Sequence, residues 1–378
     1  MTAFFLAAWS LLAPTAARAV YTDRIIQIGI VHGAREVVMT PEGRFALQDE
    51  ATGQRQDLLP RKAYRVEARG EGLRFGPHQA DGQVRLVPQE YRATVFTGSH
   101  RYQGPLIVRS NRDDTVTVIE EVGVEDYLMG VLPHEMETNW PVEALKAQAV
   151  VARTFAYTQL GKYRKAGFDL TSDTRSQMYG GVSVPSAAVR LAVAATRGEV
   201  LGYRGELLNV YYHACCGGHT ADYASVWGQG YAPRPLRGVR DGYCPNSPLA
   251  HWRVSFPKSD VLVALQNRRL IGGKLRSLRV GRRDAAGYAR TFVAGIGAET
   301  LVVPSETLRR RLGATELRSV RIRSVRLRRG SVDFEGSGSG HGVGLCQWGA
   351  RLQAEQGRRY ESILRYYFPG STLSVVDE

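Results

Sequence analysis

The stretch 125–160, EDYLMGVLPHEMETNWPVEALKAQAVVARTFAYTQL, decides how this chain is read. Val142, Leu145, Ala149, Ala152 and Ala156 recur at helical spacing and draw one apolar stripe along a long amphipathic helix. Pro141 suits the first turn, where its missing N–H is one of the unpaired ones anyway, and Gly161 suits the stop. An earlier helix closes at Pro133-His134-Glu135-Met136, so Glu135 falls at a junction between helices rather than on a helix face. A carboxyl lodged among Pro133, Met136, Trp140 and tyrosines loses water, which disfavours its charged form and raises its pKa. A raised pKa is what a general acid needs near neutral pH. The bland reading is a surface or capping glutamate beside a proline.

Outward from this stretch the pattern changes. Residues 20–100 carry short alternating runs (RIIQIGIVHG, YRVEARG, QVRLVPQEYRATVF) broken by Gly and Asp, which predict a β-rich N-terminal unit. GPLIVR at 104–109 and TVTVIEEV at 115–122 form a hairpin pattern around a turn at 111–114. SAAVRLAVAATR at 186–197 predicts a second helix, and CQWGARLQAEQG and YESILRYYF predict two short ones near the end. Residues of about 250–335 revert to strand patterns, as an insertion or second β unit. The expectation is an α+β fold: a helical core and β-rich insertion within 101–378, preceded by the unit at 20–100.

The hydrophobic share of 43% and charged share of 23% are those of a globular chain. The net charge of +14 invites a nucleic-acid reading. Two features oppose it. The basic residues are spread out except at 308–329, where VRIRSVRLRRG alternates apolar residues with Arg as a half-exposed strand does. This face is either simply solvated or attracted to anionic polymers and membrane surfaces. Second, residues 3–16 are apolar but too short to span a bilayer comfortably, and Ala17-Arg18-Ala19 follows as a small-x-small cleavage site. That predicts a signal peptide over 1–19 and an exported protein, peripheral to a membrane at most, with no nucleic-acid partner. No Lys or Arg precedes the apolar run, so a start further upstream and a retained anchor both stay open.

Other residues carry candidate chemistry. Lys146 and Arg153 lie two turns apart on one face of the long helix, as snorkelling cations or as ligands for polar groups. DTRSQMYGG at 173–181 is a glycine-closed loop in which Ser176, Gln177 and Tyr179 offer hydrogen bonds and an aromatic face. Sugars present hydroxyl edges and C–H faces to such a mixture; the alternative is an ordinary turn. His213, Cys216 and His219, with Cys244 downstream, have the ligand types of a tetrahedral zinc site. A Cys216–Cys244 disulfide and buried free thiols are equally open. GSGSGHGVGLCQWGA at 336–350 packs glycines around His341, permitting close backbone approach, and its Cys346 reads as packed rather than reactive.

Taken together and in this order, the Glu135 stretch, SQMYGG at 176–181, YYHACCGGHT at 211–220 and GHGVGLCQWGA at 340–350 resemble the SpoIID/LytB family. The resemblance covers roughly residues 100–378. Its founding members are sporulation-stage and cell-wall proteins that act on peptidoglycan. It implies that Glu135 is the catalytic residue of a lytic transglycosylase. It also implies functionally important basic groups at Lys146 and Arg153, and substrate contacts from Ser176, Gln177, Tyr179, His341 and Gln347. Glu135 would protonate the glycosidic oxygen, then take the proton of the muramic acid 6-hydroxyl as a 1,6-anhydro ring closes. A hydrolase would want a second carboxylate; Glu137, Glu143 and Asp173 are near in sequence, with no motif behind them. Some members carry a metal around the His/Cys block, which here would be structural zinc; catalysis requires no cofactor. The implied partners are peptidoglycan glycan strands and a cell-wall amidase. Two alternatives accompany this expectation. One is a wall-binding enhancer of an N-acetylmuramoyl-L-alanine amidase without cleavage of its own. The other is a basic scaffold whose salt-sensitive binding survives Glu135→Gln.

Overall fold

Alternating apolar residues in the first third of the chain build two sheets. The computed structural model describes residues 23–182, 185–228, 230–266 and 273–376; the expected signal peptide at 1–19 lies outside them. Strand Ile25–Ala34 runs antiparallel to Val116–Gly123, pairing Ile26 with Val122, and takes the short strand Leu170–Thr171 in parallel on its other edge. The sheet continues through Leu106–Ser110, Gln83–Pro88, Phe45–Asp49 and Arg55–Leu58. A second sheet is ordered His100–Tyr102, Thr94–Thr97, Glu36–Glu42, Tyr64–Arg69, Gly72–Phe75, His78–Ala80. Ile26, Ile28, Leu86 and Val118 of the first sheet and Met39, Val66, Phe75 and Val95 of the second share one buried core. Each such side chain contributes about 1.5–3 kcal/mol by leaving water. The hairpin expected at 104–122 forms, with Asp114 at φ 55° in its turn. The N-terminal residues do not stand apart: their first strand pairs with residues beyond 115, and strand His100–Tyr102 crosses position 100.

The helices are α1 (Val124–Glu135), α2 (Val142–Thr158), α3 (Ala187–Ala195), α4 (Tyr223–Trp227), α5 (Lys258–Leu265), α6 (Ser305–Leu312), α7 (Gln347–Glu355) and α8 (Tyr360–Tyr367). With the sheets this is an α+β fold. Helix α2 differs from its expected single stripe. Helices α1, α3, α7 and α8 and strand Glu199–Tyr203 surround it, so Gln148, Arg153 and Thr154 are buried with the apolar residues. A helix enclosed on all sides must satisfy its polar groups internally. Thr154 Oγ1 donates to Val150 O at 2.7 Å and accepts from Leu201 N at 2.9 Å. Arg153, fully buried, donates from Nε and Nη2 to the two oxygens of Glu125 at 2.8 and 2.7 Å, and from Nη1 to Glu199 O at 3.1 Å. Gly198 N–H adds a bond to Glu125 Oε1 at 3.2 Å.

Residues between Trp252 and Phe334 form a second, separate core. It contains the expected strands, including half-exposed Ile322–Leu327 with Arg323 and Arg326 outward, but also α5 and α6. Each of these helices follows a proline, Pro257 and Pro304, and is too short for its period to show in sequence. Among the described residues no helix is long and apolar enough to cross a membrane.

The Glu125–Arg153 pair sets a stability test. Arg153→Met strands a buried carboxylate and lowers unfolding free energy by about 3–5 kcal/mol in urea titration, whereas Glu125→Met with Arg153→Met restores most of it.

Candidate active site

Glu135 is the last residue of α1; Met136 turns extended, its N–H closing the helix on Leu132 O at 2.9 Å. A helix C-terminus carries partial negative charge, which opposes ionisation of a carboxyl placed there. Two donors meet this carboxyl. Met178 N–H bonds Oε1 at 2.8 Å, and the Tyr212 hydroxyl bonds it from the other side. Behind them runs a relay: Tyr127 OH donates to Gln177 Oε1 at 3.2 Å, and Gln177 Nε2 donates to Tyr212 OH at 3.2 Å. Burial raises the Glu135 pKa, while the Met178 amide and the Tyr212 hydroxyl pull it back.

The loop reaches Glu135 because glycines let it cross α1 closely. A Cβ on Gly180 would overlap the His134 ring, and one on Gly130 would overlap the Gly181 carbonyl. His134 Nδ1 donates to Gly130 O at 2.9 Å, fixing the ring over which the loop passes.

Glu135 opens onto a cleft of about 620 Å³ and is the only carboxylate among the described residues lining it. One wall is aromatic: the Tyr211 and Tyr223 rings lie 4.7 and 5.0 Å from Trp227, and His341 lies 5.2 Å from it. Lys162 and Arg175 bring positive charge to the rim. Strand Tyr212–His213 pairs in parallel with Leu345–Cys346 and forms the floor. His213 Nδ1 donates to Val343 O at 3.1 Å, which leaves the lone pair of Nε2 without a protein partner. His341 Nδ1 accepts from Val343 N–H at 3.1 Å. Burial lowers the pKa of His213 to about 4 and of His341 to about 3, so both rings are neutral near pH ~7.

The SpoIID family, stage II sporulation protein, matches residues 112–203, which span α1, α2 and the Gln177 loop. An uncharacterized protein of Brachyspira hyodysenteriae is 35% identical over 266 residues, 70% of each chain. The amidase enhancer of Bacillus subtilis is 30% identical over 295 residues, 65% of this chain and 40% of the enhancer. Stage II sporulation protein D of Bacillus subtilis is 26% identical over 285 residues, 68% of this chain and 76% of that one. The chain belongs to the SpoIID/LytB family. Membership gives it a cell-wall-related role.

The family blocks meet at the cleft, though not every residue expected to touch substrate lines it. Ser176 and His341 line it; Gln177 stands behind Glu135. Four others lie outside. Lys146 bonds Glu143 Oε1 at 2.7 Å, and Arg153 is spent on Glu125; α2 meets the cleft near its C-terminal end, through Phe155, and these two side chains lie away from it. Gln347 donates to Gln148 Oε1 at 3.4 Å inside the core. Tyr179 points to the opposite side of α1, donating to Glu120 Oε2 at 2.7 Å. That carboxyl, raised to about 7 by burial, borders a different cavity. None of the candidate second carboxylates lines the cleft either. Glu137 is exposed, Glu143 is bonded by Lys146 and Tyr360 N–H, and Asp173 is paired with Arg175.

The metal expectation is corrected in its ligands. Cys216 and Cys244 come together, but with Asp241 and Cys346 rather than with His213 and His219. His213 faces the cleft, and His219 Nδ1 bonds Thr220 O at 2.8 Å. All four cysteines are free thiols, so the Cys216–Cys244 disulfide is not formed; Cys215 Sγ lies 2.9 Å from Cys244 Sγ. The sequence reading missed Tyr127, Tyr212 and the Tyr211, Tyr223, Trp227 wall. Tyr211 and Tyr212 stand in a block quoted for its His and Cys, and their neighbours Tyr223 and Trp227 carry no motif.

The raised Glu135 pKa has a sign. The folded state favours the neutral carboxyl, so this contribution to stability is full below the unfolded glutamate pKa and is lost as pH rises through the folded value. Glu135→Gln cannot ionise. Its stability relative to wild type is expected to climb with pH across the carboxyl range in denaturant titrations; a difference independent of pH would contradict the raised pKa.

Proposed function

We propose that this protein is an exported lytic transglycosylase that cleaves the β-1,4 bond between N-acetylmuramic acid and N-acetylglucosamine in peptidoglycan strands freed of their stem peptides. The supporting observation is a single carboxyl with a raised pKa in an aromatic-walled cleft where no second described residue offers a carboxylate. Neutral Glu135 gives its proton to the leaving glycosidic oxygen, and the C1–O bond breaks through an oxocarbenium-like state. The Met178 N–H and Tyr212 hydroxyl, already aimed at Glu135, stabilise the carboxylate this step leaves. The carboxylate then takes the proton of the muramic 6-hydroxyl as that oxygen bonds C1. The acid is restored and no water is consumed, so one carboxyl suffices.

The rest of the cleft suits this substrate. Trp227 and Tyr211 supply faces for sugar C–H groups. Lys162 matches the lactyl carboxylate that muramic acid bares once its peptide is gone. The cell envelope is the compartment in which such strands occur. A second reading has support from the amidase enhancer that resembles 65% of this chain: a wall-binding partner of a cell-wall amidase without cleavage of its own.

Digestion of amidase-treated, peptide-free glycan strands, analysed by mass spectrometry, tests the proposal. The expected products end in 1,6-anhydro-muramic acid, and Glu135→Gln lowers their rate by roughly 100–10,000-fold. Reducing ends would indicate hydrolysis. No cleavage by a folded, glycan-binding protein would favour the amidase-enhancer reading.

A further inference from the structure

Beside the Tyr212–His213 strand and its partner Leu345–Cys346 lies a buried cluster that cleavage of a glycan does not use. Cys346, paired in register with His213, leads into α7 as its cap residue. Cys216 lies in the turn after that strand, and Cys244 opens a helical turn in a third segment. Their sulfurs and a carboxylate oxygen of Asp241 lie within 4.8 Å of one another, and all four residues are buried. Cys215 Sγ stands at the edge of the group, 2.9 Å from Cys244 Sγ and 3.2 Å from Ser247 Oγ.

We infer that Cys216, Asp241, Cys244 and Cys346 bind a structural zinc ion, or a cation of the same soft, tetrahedral kind, beneath the floor of the cleft. A tetrahedral zinc with Zn–S near 2.3 Å holds its sulfurs about 3.8 Å apart, within the span observed here. Backbone N–H groups converge on the sulfurs, as they do on thiolate ligands. Cys346 Sγ receives the N–H groups of Cys216 and Gly349 at 3.3 and 3.4 Å. Cys244 Sγ receives Gly217 N–H at 3.3 Å, and Cys216 Sγ receives Gly218 N–H at 3.4 Å. Gly217 and Gly218 hold φ of +67° and +111°, a left-handed turn that aims successive amides inward as in anion-binding nests.

Asp241 separates a metal from a disulfide. Its Oδ2 lies 3.2 Å from Cys216 Sγ and accepts Tyr367 OH at 2.8 Å, while Oδ1 accepts the N–H groups of Tyr243 and Cys244 at 2.9 and 3.1 Å. A carboxylate oriented this firmly toward three sulfurs is the arrangement of a metal ligand with its supporting hydrogen bonds. A disulfide between the same cysteines would leave that charge facing an apolar group, at a desolvation cost. The ion closes a link between Cys216, Cys244 and Cys346, three segments far apart in sequence, and so fixes the strand that presents Tyr212 to Glu135. This inference does not depend on the transglycosylase reading.

The test uses the full protein purified without chelator. Elemental analysis is expected to find about one zinc per chain, and replacement by Co(II) to give the strong visible absorption of tetrahedral thiolate coordination. Chelation lowers the melting temperature. Tyr367→Phe, which keeps every ligand but releases Asp241, lowers zinc affinity by roughly 10–100-fold in a chelator competition. Substoichiometric zinc in folded protein overturns the inference, as does mass spectrometry after alkylation that finds Cys216, Cys244 or Cys346 in a disulfide. A weak, octahedral cobalt spectrum overturns it as well.

Discussion

The Glu125–Arg153 ion pair is the contact on which the position of Glu135 depends. Glu125 lies in the first turn of α1, and Glu135 is that helix's last residue. Arg153 sits in α2 and also bonds the carbonyl of Glu199, so one guanidinium joins two helices and a strand. Buried charges lose their hydration, and only a closed set of hydrogen bonds makes up the loss. Here Gly198 N–H completes that set. Geometry this restrictive leaves α1 little freedom, and the C-terminal carboxyl inherits its direction.

At the far end of α1 the forces on Glu135 oppose one another. Burial and the helix terminus favour its neutral form; Met178 N–H and Tyr212 OH favour its carboxylate. The balance keeps both forms of the carboxyl accessible. The relay from Tyr127 through Gln177 to Tyr212 fixes the hydroxyl's direction, so its proton faces Glu135. Glycines at 130 and 180 matter for the same reason: they set how near the loop carrying Met178 can come.

The strand Tyr212–His213 separates two kinds of chemistry. Tyr212 and His213 line the cleft, while Cys216, a few residues on, joins the buried group of Asp241, Cys244 and Cys346. Its parallel partner, Leu345–Cys346, brings the glycine-rich block to the same place, and with it His341. Among the described residues, the core from Trp252 to Phe334 supplies none to the cleft lining.

The sequence by itself determined the α+β class, the hairpin at 104–122, α2 with its start after Pro141, the two closing helices, and the family. These rest on local periods and punctuating residues, or on motifs whose order survives without coordinates. It also singled out Glu135 and the upward direction of its pKa, but the groups that meet its carboxyl, Met178 N–H and Tyr212 OH, come from distant segments. Tertiary structure decided which polar groups face the cleft. Lys146 and Arg153 share a helix face in any reading, yet only the packing of α1, α3, α7 and α8 around α2 shows that this face is enclosed. Tyr212 reaches Glu135 from 77 positions further along the chain, and Asp241 and Cys346 meet Cys216 from separate segments. Contacts at that separation are set by how elements stack, and no local periodicity encodes them.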